Sequence, residues 1–338
     1  MPESSLAEDG IDVGGVKGIE VVDTVERLLE SVRCHFALCF FAPCAILPPM
    51  EPLTAEEIRR AVQLALAEDT GSGDATSLAT VPPEARASAV MRAREPLVVA
   101  GLALAEAAFH ELAPQVRLTR AAQDGERVAA GQTLLAVAGP ARALLGAERV
   151  ALNFVQRLSG IATLTARFVE AVQGTRAEIL DTRKTTPGWR RLEKYAVTCG
   201  GGRNHRLGLF DLVLIKDNHL ATLRHAWPNP IAAAVQRARA AYPQLKVEVE
   251  ADTLEQVDQA LAAGADCILL DNMDAAQLRL AVQKCGGRRP TEASGGVSLA
   301  TVRAIAESGV DFVSVGALTH SARAVDIGLD FEPGRPAP

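Results

Sequence analysis

Aromatic residues and lysines are both scarce in this sequence. Phe, Trp and Tyr make up 4% of the 338 residues, whereas hydrophobic residues in total make up 48%. A core of ordinary size therefore has to be built from Ala, Val, Leu and Ile. The chain has six lysines, and none lies between Lys17 and Lys184. Arginine thus carries the ordinary surface charge, so Lys184 and Lys216 are candidates for roles that need a compact ammonium group.

Metal-binding cysteines, basic stripes and long apolar runs are also missing. The six cysteines show neither CxxC pairs nor metal spacing, which predicts buried thiols in a reducing cytoplasm. A net charge of -6, without a basic stripe that carries aromatics, argues against nucleic acid as a partner. The most apolar N-terminal run, residues 36–47, is too short to cross a bilayer and follows an acidic segment. We therefore expect neither a membrane span nor a signal peptide.

The N-terminal half of the chain divides into two stretches. Residues 1–49 show weak periodicity, and we interpret them as a disordered or artefactual extension before a natural start at Met50. Residues 50–160 predict an N-terminal α/β sandwich domain, which opens with a helix capped by Thr54 and Glu57. Strands are predicted at 86–94, 116–121 and 132–138, and a long helical region at 140–172 with a break near Gly160. The hairpin at 124–132 looks like a biotinyl or lipoyl carrier module, but it has no lysine to modify.

After Gly174 short apolar runs alternate with helical patterns, which is typical of parallel strands with helices outside them. The runs lie at 178–182, 211–216, 245–250, 266–271, 290–294 and 311–316. Six units with a common rhythm favour an incomplete TIM-like α/β barrel over residues 161–322. An open doubly wound sheet is the alternative, but no GxGxxG opens a helix. Residues 323–338 are expected to return towards the N-terminal domain.

Polar residues follow the predicted strands at their carboxyl ends, where barrel enzymes place their sites. They are Asp181, Arg183, Lys184, Lys216, Asp217, Asn218, Glu250, Asp271, Asn272, Glu292, Ser294 and Gly316. The dense cations of residues 183–216 in an acidic chain predict an anion pocket, the alternative being a solvated basic face. Glu250 and Asp271 could hold Mg²⁺, directly or through water, or bind ribose hydroxyls.

Glycine-rich turns follow the last two predicted strands. They are SGG at 294–296 and VGA at 315–317, and in this fold the turns after the last strands bind phosphate. No Cys-His or Ser-His-Asp set is apparent at the strand ends. The residues therefore predict chemistry by positioning and electrostatics instead of covalent catalysis.

Several motifs in this order resemble the quinolinate phosphoribosyltransferases, also called nicotinate-nucleotide pyrophosphorylases (carboxylating). They are DTRKTTPGWR, GGGRNHR, GLFDLVLIKDNH, VEVE, LLDNM, EASGG and VGALTHS, with EDTGSGDATS and ERVALNFVQRLSGIAT in the N-terminal half. The likeness extends from about Leu53 to about Leu329, and residues 1–49 have no counterpart. One departure is Ala293, where many relatives have Thr or Ser.

The resemblance implies a pentosyltransferase of NAD biosynthesis. It implies that quinolinate and phosphoribosyl pyrophosphate react, with Mg²⁺, to nicotinate mononucleotide, CO₂ and pyrophosphate, in a cytoplasmic homodimer or higher even oligomer whose sites combine two subunits. The implied substrate-binding residues are Arg149 from the partner, Thr182, Arg183, Lys184, His205, Arg206, Lys216, Glu250, Asp271, Ser294, Gly295, Gly296, Val315, Gly316 and Ala317. The implied catalytic residues are Lys184, Lys216, Glu250 and Asp271, and the two acids are the implied metal ligands. Which lysine assists decarboxylation stays open.

Two other functions fit the residues less well. A related phosphoribosyltransferase could act on another pyridine or pyrimidine acid without decarboxylation, and the release of CO₂ would separate the two. A Schiff-base lyase could use Lys216 at its strand end, and trapping with borohydride would reveal it.

Overall fold

The computed structural model describes residues 51–332. The predictions for residues 1–49 and for a start at Met50 lie outside the described residues, as does the end of the segment 323–338. Among residues 51–332, no helix combines the length and the hydropathy that crossing a bilayer requires.

The N-terminal part is a four-stranded antiparallel sheet covered by helices. Its helices are α1 (Ala55–Thr70), α2 (Ala75–Thr80) and α3 (Leu102–Leu112). The strands along this part of the chain are β1 (Arg86–Ala93), β2 (Leu97–Val98), β3 (Arg117–Arg120), β4 (Arg127–Val128) and β5 (Thr133–Pro140), of which β2 and β4 pair with each other in a separate two-stranded sheet. The last strand of the chain, β12 (Ile327–Phe331), pairs with β1 and gives the order β12-β1-β5-β3. The predicted cap of α1 is confirmed, because the Glu57 amide donates to Thr54 Oγ1 at 3.2 Å and the Thr54 amide donates to Glu57 Oε2 at 2.9 Å.

A single long helix, α4 (Ala141–Ala171), connects this part to the second sheet. The predicted break near Gly160 is wrong, because the helix continues through that residue. A Cβ atom on Gly160 would lie 2.0 Å from the carbonyl oxygen of Arg323. Glycine is therefore needed for the close approach of a distant backbone segment, although the same residue type usually weakens a helix.

We expect Gly160→Ala to lower the free energy of unfolding by about 1–3 kcal/mol, because the methyl group would force the Arg323 backbone away from α4. Gly146→Ala in the same helix is the control, since its Cβ would meet only the Leu112 side chain at 3.1 Å. That change should be neutral or stabilising, as alanine is the better helix former. Urea unfolding measures both, and equal midpoints would contradict the role given to Gly160.

The second sheet has six parallel strands. They are β6 (Glu178–Leu180), β7 (Val213–Ile215), β8 (Val247–Ala251), β9 (Cys267–Asp271), β10 (Thr291–Ser294) and β11 (Phe312–Ser314). The order is β6-β11-β10-β9-β8-β7, so that β6 and β7 form the two edges. Seven helices accompany these strands: α5 (Arg190–Cys199), α6 (Asp217–Thr222), α7 (Pro230–Ala241), α8 (Leu254–Ala263), α9 (Ala275–Cys285), α10 (Val302–Ala306) and α11 (Ala317–His320). The predicted α/β fold with an incomplete parallel barrel and a separate antiparallel sheet is confirmed.

Parallel pairing brings the carboxyl ends of all six strands to one edge of the barrel. Ser294 of β10 is paired with Asp271 of β9, and Leu269 of β9 with Glu250 of β8. The loop after β6 is attached to the rest of the core by Trp189, whose ring stacks on Phe154 of α4 with centroids 5.1 Å apart. Side chains from distant stretches of sequence therefore meet at this edge.

Candidate active site

A cavity of about 650 Å³ lies at the carboxyl ends of the parallel strands. Most of the predicted site residues line it: Thr182, Arg183, Lys184, His205, Arg206, Lys216, Glu250, Asp271, Ser294, Gly295 and Gly296. Asp217, Asn272 and Glu292, which were also expected at the strand ends, line it as well. Three residues that were not predicted line it too: Leu214, Leu269 and Ser314. Leu214, Leu269 and Ser314 lie inside strands, and the two-residue period of a strand was the signal that could have found them.

Four predicted residues do not line the cavity of the described chain. Arg149 is exposed on α4, and Val315 is fully buried at the end of β11. Gly316 and Ala317 begin the short α11, and a Cβ on Gly316 would come within 3.0 Å of Lys184 Cδ. Gly316 therefore leaves room for the Lys184 side chain.

Two members of the cation-rich segment form a buried ion pair beside the cavity. Lys194 Nζ contacts the Asp181 carboxylate, and neither side chain is exposed. Lys194 also donates to the carbonyl oxygen of His205 at 3.0 Å, and the His205 amide donates to Asp181 Oδ1 at 2.9 Å. The Asn204 side-chain amide donates to Asp181 Oδ2 at 2.6 Å. This pair thus fixes the loop that carries His205 and Arg206, instead of facing a ligand.

Arginine makes the buried side of the cavity strongly cationic. Arg206 is 6% exposed, and burial, followed by repulsion from Arg183, lowers the pKa of its guanidinium. Among the described residues Arg183 Nε has no hydrogen-bond partner. Two adjacent guanidinium groups, one of them with an unused donor, require an anion, and a carboxylate matches their geometry.

Another part of the cavity lining is acidic. Lys216 Nζ contacts one oxygen of Glu250, and the Asp217 amide lies 3.5 Å from the other. Burial, then Asp271 and Asp217, raise the pKa of the adjacent Asp252. Several carboxylates are therefore crowded at this point, and oxygen donors of this kind suit Mg²⁺.

The turn after β10 is shaped by its two glycines. Gly295 has a φ of +96°, and a Cβ there would lie 2.1 Å from Asn272 Oδ1, whereas a Cβ on Gly296 would meet nothing within 4 Å. Open space beside Gly296, next to backbone amides, fits a bound anion. The helix that follows this turn begins only at Val302, so the support for an anion comes from the turn itself.

A buried cluster of His205, Glu248 and Glu292 adjoins the cavity, and His205 and Glu292 line it. His205 Nε2 lies 2.9 Å from Glu248 Oε2 and 3.4 Å from Glu292 Oε2. Burial by itself would lower the pKa of His205, but Glu292 and Glu248 together raise it to about 10. Burial, and then the charge of Glu248, raise the pKa of Glu292. The cluster as a whole therefore retains a proton that an isolated histidine and two glutamates would lose.

The backbone indicates where this proton lies. The Arg206 amide donates to His205 Nδ1 at 2.7 Å, so Nδ1 accepts and the imidazole carries its hydrogen on Nε2. With Nδ1 in this accepting role, an additional proton in the cluster falls to a glutamate, and burial, followed by the charge of Glu248, raises the pKa of Glu292. The three residues have the donor types of a metal site, but a protonated Nε2 cannot bind a metal ion. Their arrangement is that of a proton-holding group.

Known proteins with similar sequences share one activity in their names. Residues 74–159 match the N-terminal domain of quinolinate phosphoribosyl transferase, and residues 161–330 match its C-terminal domain. The nicotinate-nucleotide pyrophosphorylase [carboxylating] of Mycobacterium leprae is 48% identical over 279 residues, which are 81% of this chain and 96% of that protein. The chloroplastic enzyme of the same name from Arabidopsis thaliana is 43% identical over 303 residues, 85% of this chain and 86% of that protein.

A solved structure agrees with these sequence matches. The nicotinate-nucleotide pyrophosphorylase of Francisella tularensis superimposes with a TM-score of 0.79 at 37% identity, over 84% of this chain and 99% of that one. Both domain models, the relatives and the fold point to the same conclusion. The chain belongs to the quinolinate phosphoribosyltransferase family.

Proposed function

We propose that this protein transfers the phosphoribosyl group of phosphoribosyl pyrophosphate to quinolinate and removes CO₂. The products are nicotinate mononucleotide and pyrophosphate, the first of which serves NAD biosynthesis. The observation that carries the proposal is a cationic pocket beside crowded carboxylates, in a chain that belongs to this family. Incubation with both substrates and Mg²⁺ tests it, and nicotinate mononucleotide should appear together with CO₂ in equal amounts. A product that retains both carboxylates would instead favour a phosphoribosyltransferase without decarboxylation.

Quinolinate is a dicarboxylate, and the cationic side of the cavity suits it. Arg183 and Arg206 can each hold a carboxylate through two parallel hydrogen bonds. The floor beneath them is rigid, because His205 and Arg206 belong to the loop that the Asp181–Lys194 pair fixes. Substrate would therefore bind to a preformed set of charges, which lowers the cost of ordering the site.

Phosphoribosyl transfer requires stabilisation of positive charge on the ribose. As the pyridine nitrogen attacks and pyrophosphate leaves, the anomeric carbon acquires oxocarbenium character, which the Glu250 and Asp271 carboxylates can stabilise. The same two residues, with Asp217 beside them, would hold Mg²⁺, whose charge neutralises the pyrophosphate. Lys216 keeps Glu250 in place through its own contact with that carboxylate.

Decarboxylation leaves an electron pair on the pyridine carbon next to the nitrogen, and an ammonium group nearby would stabilise it. Lys216 already contacts Glu250, whereas no carboxylate contacts the Lys184 ammonium within residues 51–332. We therefore assign this role to Lys184, with Lys216 acting on the ribose side.

We also propose that the enzyme is a homodimer in which each cavity receives Arg149 from the partner. Arg149 is exposed on α4 and does not line the cavity of its own chain. Its burial against a second copy would add a third guanidinium to the quinolinate pocket. The free thiols Cys199, Cys267 and Cys285 fit a reducing compartment such as the cytoplasm.

Gly296→Asp should weaken the binding of phosphoribosyl pyrophosphate at least ~10-fold, because a carboxylate in the phosphate turn repels the phosphate. Gly296→Asn is the matched control, since it has nearly the same size and also tolerates the left-handed backbone at φ +59°. Its affinity should stay within ~3-fold of wild type. Isothermal titration calorimetry measures both. Equal affinities for the two variants would place the phosphate elsewhere.

A Gly295→Asp variant would not separate repulsion of the phosphate by the new charge from distortion of the turn by the new side chain. Its Cβ would collide with the Asn272 side chain, and its φ of +96° is unfavourable for any residue with a side chain. Loss of binding in that variant would therefore report a distorted turn as much as a repelled phosphate.

A further inference from the structure

The two glutamates of the His205 cluster differ in two respects. Both are fully buried, and both lie near His205 Nε2. Only Glu292 lines the cavity, and neither of its carboxyl oxygens has a hydrogen-bond partner within the part of the chain that the structure describes. A buried carboxyl group without partners is costly unless something in the cavity completes it. Glu292 is therefore directed at the substrate.

We propose that Glu292 donates the proton that replaces the departing carboxylate of quinolinate. This inference rests on the proposed function, because it concerns the last chemical step of that reaction. The product carries hydrogen on the carbon that carried the carboxylate, so a proton must be delivered there. None of the roles given to Lys184, Lys216, Glu250 and Asp271 supplies it.

The step balances with the groups that are present. The bond between the pyridine carbon and the carboxylate breaks, CO₂ leaves, and the electron pair stays on the ring carbon next to the charged nitrogen. The O–H bond of Glu292 then breaks as the new C–H bond forms, which yields nicotinate mononucleotide and a Glu292 carboxylate. After product release, water returns a proton to Glu292.

The surroundings of Glu292 suit an acid that gives up and recovers one proton. Its neighbours are Glu248, which disfavours a second negative charge, and His205, which favours it. The Ser314 hydroxyl and the buried Cys267 thiol also lie near it. Burial and the charge of Glu248 favour the protonated acid before the reaction, and the Nε2–H of His205 is 3.4 Å away to stabilise the carboxylate afterwards. Arginine cannot take this role, because it does not release its proton in proteins.

The test is a single-turnover experiment in which pyrophosphate and nicotinate mononucleotide are measured separately. In Glu292→Gln we expect pyrophosphate to form at close to the wild-type rate. Formation of nicotinate mononucleotide should fall roughly 100-fold, the usual contribution of a general acid. The phosphoribosylated nucleotide that retains both carboxylates should accumulate. Glu292→Asp keeps the carboxyl group but shortens the side chain by one methylene. In this variant the formation of nicotinate mononucleotide should also be slower than that of pyrophosphate, but by a smaller factor.

Glu248→Gln is the matched control, since Glu248 contacts the same histidine but does not line the cavity. Any effect of that change should slow pyrophosphate and nicotinate mononucleotide formation in step, because it acts through His205. If Glu292→Gln also slows the two products in step, Glu292 positions His205 and the proposal is overturned. It is overturned equally if Glu292→Gln forms both products at the wild-type rate. A wild-type enzyme that forms no nicotinate mononucleotide would instead refute the proposed function.

Discussion

Arg206→Ala and Lys184→Ala are each expected to lower kcat/KM at least ~100-fold, because each would leave a substrate anion without its cationic partner in the pocket. The reason is clearest for Arg206, whose side chain is 6% exposed and lies beside Arg183. Without Arg206, the cavity of the same chain offers the dicarboxylate only one guanidinium group, that of Arg183. The loss should appear in kcat/KM and not in stability, since Arg206 repels its nearest cationic neighbour in the free enzyme.

Arg203→Ala is the control for this prediction. Arg203 belongs to the same loop as Arg206, but it forms an ion pair with Glu178 and does not line the cavity. Its kcat/KM should stay within ~3-fold of wild type, as expected for a half-exposed ion pair away from the site. Steady-state kinetics with both substrates, together with unfolding midpoints, measure the set. Near-normal turnover of purified Arg206→Ala would mean that quinolinate binds without this guanidinium.

The fold could be predicted because its signals are local. Thr54 and Glu57 cap α1 within four residues of sequence, and each barrel strand is a short apolar run between helical patterns. Such patterns depend on side-chain periods of two and 3.6 residues and need no knowledge of distant contacts. The carboxyl-terminal position of the cavity then followed from the architecture, which brings Lys216, Glu250 and Asp271 together at one edge.

Features that depend on distant contacts were missed or misjudged. In the sequence, Lys194 is one more member of a cation-rich run. In the structure it is buried in an ion pair with Asp181 and does not line the cavity. In the sequence, Gly160 suggests a helix break, but glycine is needed there because the Arg323 backbone packs closely against the helix. In both cases the decisive partner is far away in sequence or on another element, and residue type alone does not reveal it.

Glu248 shows why a site residue can be hidden inside a regular pattern. In VEVE the two glutamates occupy equivalent alternate positions, and both point into the barrel. Only Glu250, which is nearer the carboxyl end of the strand, lines the cavity, where Lys216 contacts it. Glu248 contacts His205, which belongs to the loop after α5. The strand pattern predicts that both glutamates lie on the same face of the strand, but it does not show which of them lines the cavity.

Arg149→Ala and Lys216→Ala should each be inactive alone and should recover activity when their subunits are mixed. The reason is the two-fold symmetry of a shared site, in which each cavity receives one arginine from its partner. In a mixed dimer one cavity has both native residues, and the other lacks both. Equal amounts give half mixed dimers, so recovery should approach roughly a quarter of wild-type activity.

A mixture of Lys184→Ala and Lys216→Ala subunits is the control for this experiment. Both lysines line the cavity of their own chain, so every site in such a mixed dimer lacks one of them and no activity should return. Native mass spectrometry of subunits that differ in isotope label shows whether exchange has occurred. If exchange is complete and the Arg149→Ala mixture stays inactive, Arg149 acts within its own subunit and the shared-site arrangement is wrong. Recovery only in that mixture would establish that each cavity is completed across the interface.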